Sequence, residues 1–183
     1  TVYRITIKPG IIFQPHPAFA QKNGNYIYHK ITPEQLAKTS SLADFEHTGT
    51  RELTAADYVY QIKRLAHPRI HSPVGGLMGK YIAEFSDFAQ NLRRNDSKDE
   101  LFLDLRRFNF RGVSQIDRYT YEIELSQKYP QFIYWLAMPF FSPVPWEADA
   151  FYSQKGMKEK NVTLDWYPVG TGPYMLAENN PNK

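Results

Sequence analysis

The chain has 183 residues, 22 Lys and Arg against 19 Asp and Glu, and 42% hydrophobic residues, which excludes a disordered tail or a collagenous repeat. A formal charge of +3, with no long block of like charge, gives no reason to expect nucleic acid. The absence of cysteine excludes disulfides, thiolate catalysis and cysteine-bound zinc, and no apolar run is long enough to cross a membrane.

Val2 to Lys8 alternates, with Tyr3, Ile5 and Ile7 on one face, and predicts a half-buried strand ended by Pro9-Gly10. Ile11 to Phe13 predicts a second short strand, Gln14 to Asn25 a loop, and Tyr26 to His29 a short aromatic strand. Thr32-Pro33-Glu34-Gln35 predicts a short helix opened by a capping box. Thr54 and Asp57 open a second helix, on which Tyr58, Ile62 and Leu65 share a face flanked by Val59 and Ala66. His67-Pro68 stops it.

Ser72 to Gly76 reads as a turn. Leu77, Tyr81, Phe85, Phe88 and Leu92 then predict one helix. Asn95 to Glu100 is a polar loop, and Leu101 to Phe110 fits a helix or a strand. Gly112 to Leu125 predicts a hairpin turning at Asp117-Arg118. Pro130 opens a fourth, buried helix over Gln131 to Ala137. Met138 to Pro145 is expected to be extended, Trp146 to Ser153 a fifth helix, Asn161 to Tyr167 extended, and Tyr174 to Ala177 a strand. The start without Met and the turn-like Asn179 to Lys183 lead us to expect a piece of a longer protein.

His67 and His71 have a metal-ligand spacing, but Pro68 between them favours a helix end and loop. Asp96, Asp99 and Glu100 lack the central Gly and alternating ligands of a calcium loop. Gly170-Thr171-Gly172 is followed by Pro173 and a strand pattern, which does not suit a phosphate cradle. Lys63, Arg64, Arg69, Arg93, Arg94, Arg106 and Arg107 read as solvated helix faces. Trp135, Phe140, Phe141, Trp146 and Trp166 fit either a core or a pocket wall, the wall reading being stronger for Phe140 and Phe141. No catalytic, metal or cofactor constellation is visible, so no enzyme and no cofactor is expected.

Five segments in order carry a resemblance. They are Tyr3 to Gly10; Leu53 to Leu65 with its Thr-Ala-Ala-Asp start, followed by His67-Pro68 and Ser72-Pro73; and Gly112-Val113 with Ile116 to Ile123. The last two are Pro130 to Ile133 with Met138-Pro139 and Ser142 to Pro145, and Val169 to Tyr174. Together they resemble family 5 of the bacterial extracellular solute-binding proteins. The family includes the oligopeptide-, dipeptide- and nickel-binding components of ABC importers.

The resemblance implies a mixed α+β (α/β) fold, made of the small extra domain and part of the first lobe of a type II periplasmic-binding-protein fold. Residues 1–144 would be the small domain and 145–183 the return into the first lobe, the remaining lobes lying outside this chain. It implies a periplasmic or lipid-anchored protein with its signal sequence outside this fragment. Such a protein binds a peptide or similar small polar solute in a cleft and works with ABC permease subunits, touching the membrane only through them. Ser72, Val74, Met138, Phe140 and Phe141 are the expected ligand-facing positions. Relatives often carry an aromatic where Val74 stands. Gln14 to Glu52 and Asn91 to Arg111 are longer than the family pattern. A solute sensor in a transcriptional regulator, and more remotely a hydrolase, are the alternatives.

Overall fold

The computed structural model describes residues 1–179. In chain order these form β1 (Val2–Thr6), β2 (Gln21–Lys22), β3 (Asn25–Tyr26), α1 (Pro33–Ala37), α2 (Ala55–Arg64), α3 (Gly75–Tyr81) and α4 (Phe85–Asn95). They continue with β4 (Val113–Gln115), β5 (Thr120–Glu124), α5 (Phe132–Trp135) and α6 (Trp146–Tyr152). Single 3-10 turns lie between them. The chain divides into two compact units, Thr1–Pro9 with Thr54–Val144, and Gly10–Leu53 with the segment from Pro145 onward. Residues 10–53, which the sequence reading kept with the first 144, thus pack with the C-terminal segment.

In the first unit the alternation of β1 puts Tyr3 and Ile5 on its less exposed face. The strand pairs antiparallel with β5, Tyr3 opposite Ile123 and Ile5 opposite Tyr121. β5 also pairs with β4, giving the order β1-β5-β4. This is the predicted hairpin, with β5 as the central strand. Helix α2 lies against β4 and β5. Val59, Ile62, Leu65 and Ala66 are buried, and Tyr58 stacks on Tyr121 with ring centroids 5.2 Å apart. The Asp57 carboxylate accepts the Thr54 N–H at 2.9 Å and fixes the helix start.

The periodicity from Leu77 to Leu92 runs through two helices, not one. Between them Ile82 forms a bridge with Leu125, and Ala83 donates its N–H to the Glu124 carbonyl at 2.9 Å. Pairing with the sheet end therefore wins over helix continuation, and Glu84 takes a left-handed turn (φ 59°) before α4. Gly112 makes this crossing possible, because a Cβ there would collide with the Ala83 carbonyl. Leu101 to Phe110 contains a 3-10 turn at Leu105–Arg107.

The expected buried fourth helix shrinks to α5. Phe132 is buried, while Ile133 and Tyr134 are 54% and 70% exposed. Met138, preceding Pro139, is forced to extended dihedrals (φ −81°, ψ 147°), which stops any continuation. Pro139–Phe141 then forms a 3-10 turn where an extended run was expected.

In the second unit Asn23 and Gly24 both have positive φ, 52° and 78°, and join β2 to β3. This Asn-Gly turn lies inside the predicted loop, and Gly24 has the freedom that its second position requires. The predicted strand at Ile11–Phe13 is only a bridge from Ile12 to Glu52. The capping box of α1 forms as expected, Gln35 N–H to Thr32 Oγ1 at 3.2 Å and Thr32 N–H to Gln35 Oε1 at 3.0 Å. α6 packs on the 3-10 turn Pro17–Phe19. The core comprises Phe13, Leu53, Ala148, Phe151, Met157 and Val162. Asn161 to Tyr167 is a run of turns, not extended chain. Tyr174 to Ala177 is irregular and exposed; a strand needs an edge to pair with, and it finds none among the described residues. The expected turn at the C-terminus lies, from Asn180, outside the described residues.

Candidate functional site

The expected ligand-facing positions fall on two segments of the first unit, and α2 is the scaffold for both. One segment runs from the end of α2 to the start of α3. There a cleft of about 290 Å³ is lined by Leu65, His67, His71, Ser72, Phe85 and Arg93, among others. Ser72 is half-buried on its wall, and Val74 is half-buried but outside the lining. His71 takes a left-handed conformation (φ 52°) in the turn after α2. The helical spacing with His67 is therefore lost. Among the described residues no three His, Asp or Glu side chains cluster as metal ligands.

The other segment is the turn Pro139–Phe141. Gln61, one helical turn before Leu65, donates from Nε2 to the Phe140 carbonyl at 2.8 Å and ties this turn to α2. Its Oε1 is buried without a hydrogen-bond partner among the described residues. Met138 is 46% exposed and Phe140 half-buried. Phe141 is 3% exposed and packs edge-to-face on Phe132 at 5.9 Å, so of the two readings of this ring it takes the core one. Trp135 joins Tyr81 and Tyr129 in an aromatic cluster, with Tyr81 and Tyr129 stacked at 4.3 Å.

Sequence reasoning missed Gln61, whose burial is hinted at only by its place beside the apolar stripe of α2. It also misplaced Lys63, read as a solvated cation. Lys63 is 5% exposed, and its Nζ donates to the Asn109 side-chain oxygen at 2.9 Å. Burial pushes its pKa down, and the nearby Asp104 carboxylate partly opposes this.

The second unit holds two buried polar networks. Glu147 is 2% exposed and receives Arg51 in a bidentate pair, Nε to Oε1 and Nη2 to Oε2, both at 2.7 Å. The Tyr26 hydroxyl donates to the same carboxylate at 3.1 Å, and its pKa is raised by burial and then by Glu147. Arg51 also lies over the rings of Phe13 and Phe19. His16 is wholly buried. Its Nδ1 accepts the Ala18 N–H at 3.0 Å, and its Nε2 lies 2.7 Å from the Tyr152 hydroxyl. That hydroxyl donates to the Tyr167 carbonyl at 2.7 Å, so Nε2 carries the proton and the ring is the neutral tautomer. Burial pushes the His16 pKa down to about 3 and the Tyr152 pKa up. Every nitrogen of this network is occupied by structure, which leaves it no group free for chemistry.

These features define a class before they define a family. The chain is a mixed α/β piece of a periplasmic-binding-protein fold. The solved structure of OppA from Burkholderia pseudomallei superposes with a TM-score of 0.50 at 26% identity, over 73% of this chain and 22% of that one. The family follows from the sequence: the model for bacterial extracellular solute-binding proteins, family 5, matches residues 47–183, and the chain belongs to that family. The periplasmic oligopeptide-binding protein OppA of Salmonella typhimurium is 30% identical over 88% of this chain. The peptide transport periplasmic protein SapA of the same organism is 29% identical over 72%. The chain spans 25% and 20% of the length of these two relatives.

Proposed function

We propose that the protein containing this chain is the substrate-binding component of an ABC importer, carrying peptides or similar small polar solutes to a membrane permease. The observation that carries this reading is family membership over residues 47–183, with relatives named for oligopeptide binding and for peptide transport. Both relatives are named periplasmic, which supports the same compartment here. Residues 1–9 and 54–144 would be the small extra domain, and residues 10–53 with the segment from Pro145 would belong to the first lobe. Ser72, Val74, Met138 and Phe140 keep exposed surface and would face the solute, with Phe141 supporting them from the core. The work is done by closure of lobes around the solute, without bond chemistry.

The test is native mass spectrometry of the full-length protein, followed by denaturation and identification of what is released. A ladder of short peptides is the expected result. A single sugar phosphate or metal chelate would overturn the peptide reading and point to a sensor or a specialised importer.

A further inference from the structure

Lys63 borders a groove of about 460 Å³ in the first unit, lined by residues of α2, of β4 and of the segment from Arg106 to Phe110. The volume is in the range of small-molecule sites. Its walls divide by chemistry. Val59, Phe110 and Val113 are apolar; Lys63, Asn109, Ser114 and Gln115 supply polar atoms.

The charges in the groove select the ligand. Arg106 also lines it, but its guanidinium is held by Asp104 in a bidentate pair, Nε to Oδ1 at 2.8 Å and Nη2 to Oδ2 at 2.7 Å. Asp104 lies near enough to act on Lys63, but its oxygens are committed to Arg106 and form no ion pair with the ammonium. Lys63 has only the neutral Asn109 oxygen as a hydrogen-bond partner, and no carboxylate pairs with it among the described residues. An ammonium has three donors, so two remain for an occupant of the groove. A buried cation without an anion is unfavourable, and an arriving anion would relieve that. One positive charge without an ion-pair partner, beside apolar walls, suits an anion of single charge with a short hydrocarbon body.

We propose that this groove binds a small monocarboxylate, with its carboxylate on Lys63 Nζ and its apolar body against Val59, Phe110 and Val113. Its lining shares no residue with the cleft beside Ser72 and includes none of Val74, Met138, Phe140 and Phe141, so its occupancy is tested independently of the peptide reading.

Calorimetric titration of the full-length protein with hexanoate, hexanol and inorganic phosphate tests it. Hexanoate is expected to saturate one site, with hexanol at least about tenfold weaker because it lacks the charge. In Lys63→Met hexanoate affinity should fall at least about tenfold while peptide release in the mass-spectrometric experiment is unchanged. A second measurement uses the unaltered protein. Hexanoate should slow amine labelling of Lys63, since a rise of one pKa unit removes about nine-tenths of the neutral amine. The exposed Lys98 and Lys128 should label as before. Hexanoate binding that survives Lys63→Met, no protection of Lys63, or protection by phosphate and not by hexanoate would each overturn the proposal.

Discussion

Arg51 in the second unit and Lys63 in the first are both cations set against apolar surroundings, and their environments differ in one respect. Arg51 meets a buried carboxylate that matches its planar fork, and two aromatic rings stack near its guanidinium. Lys63 meets one neutral amide oxygen. The first arrangement is complete in itself and stabilises the fold. The second leaves hydrogen-bonding capacity unspent. Burial of a charge is therefore not evidence of a site. A buried charge whose partners fall short of its chemistry is.

The contrast is sharpest in truncation. Arg51→Met removes the partner of a carboxylate that is 2% exposed. It should cost about 3–5 kcal/mol, the usual loss when a buried pair is broken from one side. Lys63→Met removes a buried charge that lacks a charged partner, keeps most of the stem volume, and should change stability by less than about 1 kcal/mol. Urea midpoints of the two variants, compared with the parent, measure both. Equal losses would mean that Lys63 is as fully compensated as Arg51, and the contrast would fail.

Acid separates the units in a second way. His16 is neutral and wholly buried, with a folded pKa of about 3 against 6.5 for the free side chain. Below 6.5 the unfolded chain takes up a proton that the folded chain refuses. Stability therefore falls with falling pH, by about 1.4 kcal/mol per unit from His16 alone, until about pH 3. His16→Gln should lower stability at neutral pH and flatten this slope between about pH 6 and pH 4, which lies between the unfolded and folded pKa values. If urea midpoints of the two proteins fall in parallel over that window, another group carries the acid sensitivity.

What the sequence revealed follows from which interactions are local. The capping box at Thr32 and Gln35, the face of α2 and the hairpin of β4 and β5 each involve neighbours in the chain, and the structure contains all three. The Asn23-Gly24 turn was equally local and readable, yet the surrounding Pro and Asn hid it within a loop. The break between α3 and α4 was not readable. It depends on Ile82 meeting Leu125, more than forty residues away, while the apolar spacing runs on without interruption. The same limit applies to the site. Nothing near Lys63 in the chain signals that Asn109 and β4 will cover it. Likewise what separates Phe141 from Phe140 is a packing contact, the ring of Phe132 against the buried ring of Phe141, which the adjacent residues do not signal.

The smallest expected effect uses the same chemistry as the largest. Arg4 and Glu122 are cross-strand partners in β1 and β5, with Nε to Oε1 at 2.6 Å, closer than the pair in the second unit. Distance alone would rank them higher. But the Arg4 side chain is 68% exposed, so water and salt screen the pair and both side chains surrender freedom to form it. A double-mutant cycle with Arg4→Ala and Glu122→Ala should return a coupling of about 0.2–1 kcal/mol, falling further in high salt. The Arg51–Glu147 cycle should exceed it several-fold and change little with salt. Were the two couplings equal, desolvation would not be what separates these carboxylates, and the reading of Lys63 as a buried cation in need of an ion pair would lose its physical basis.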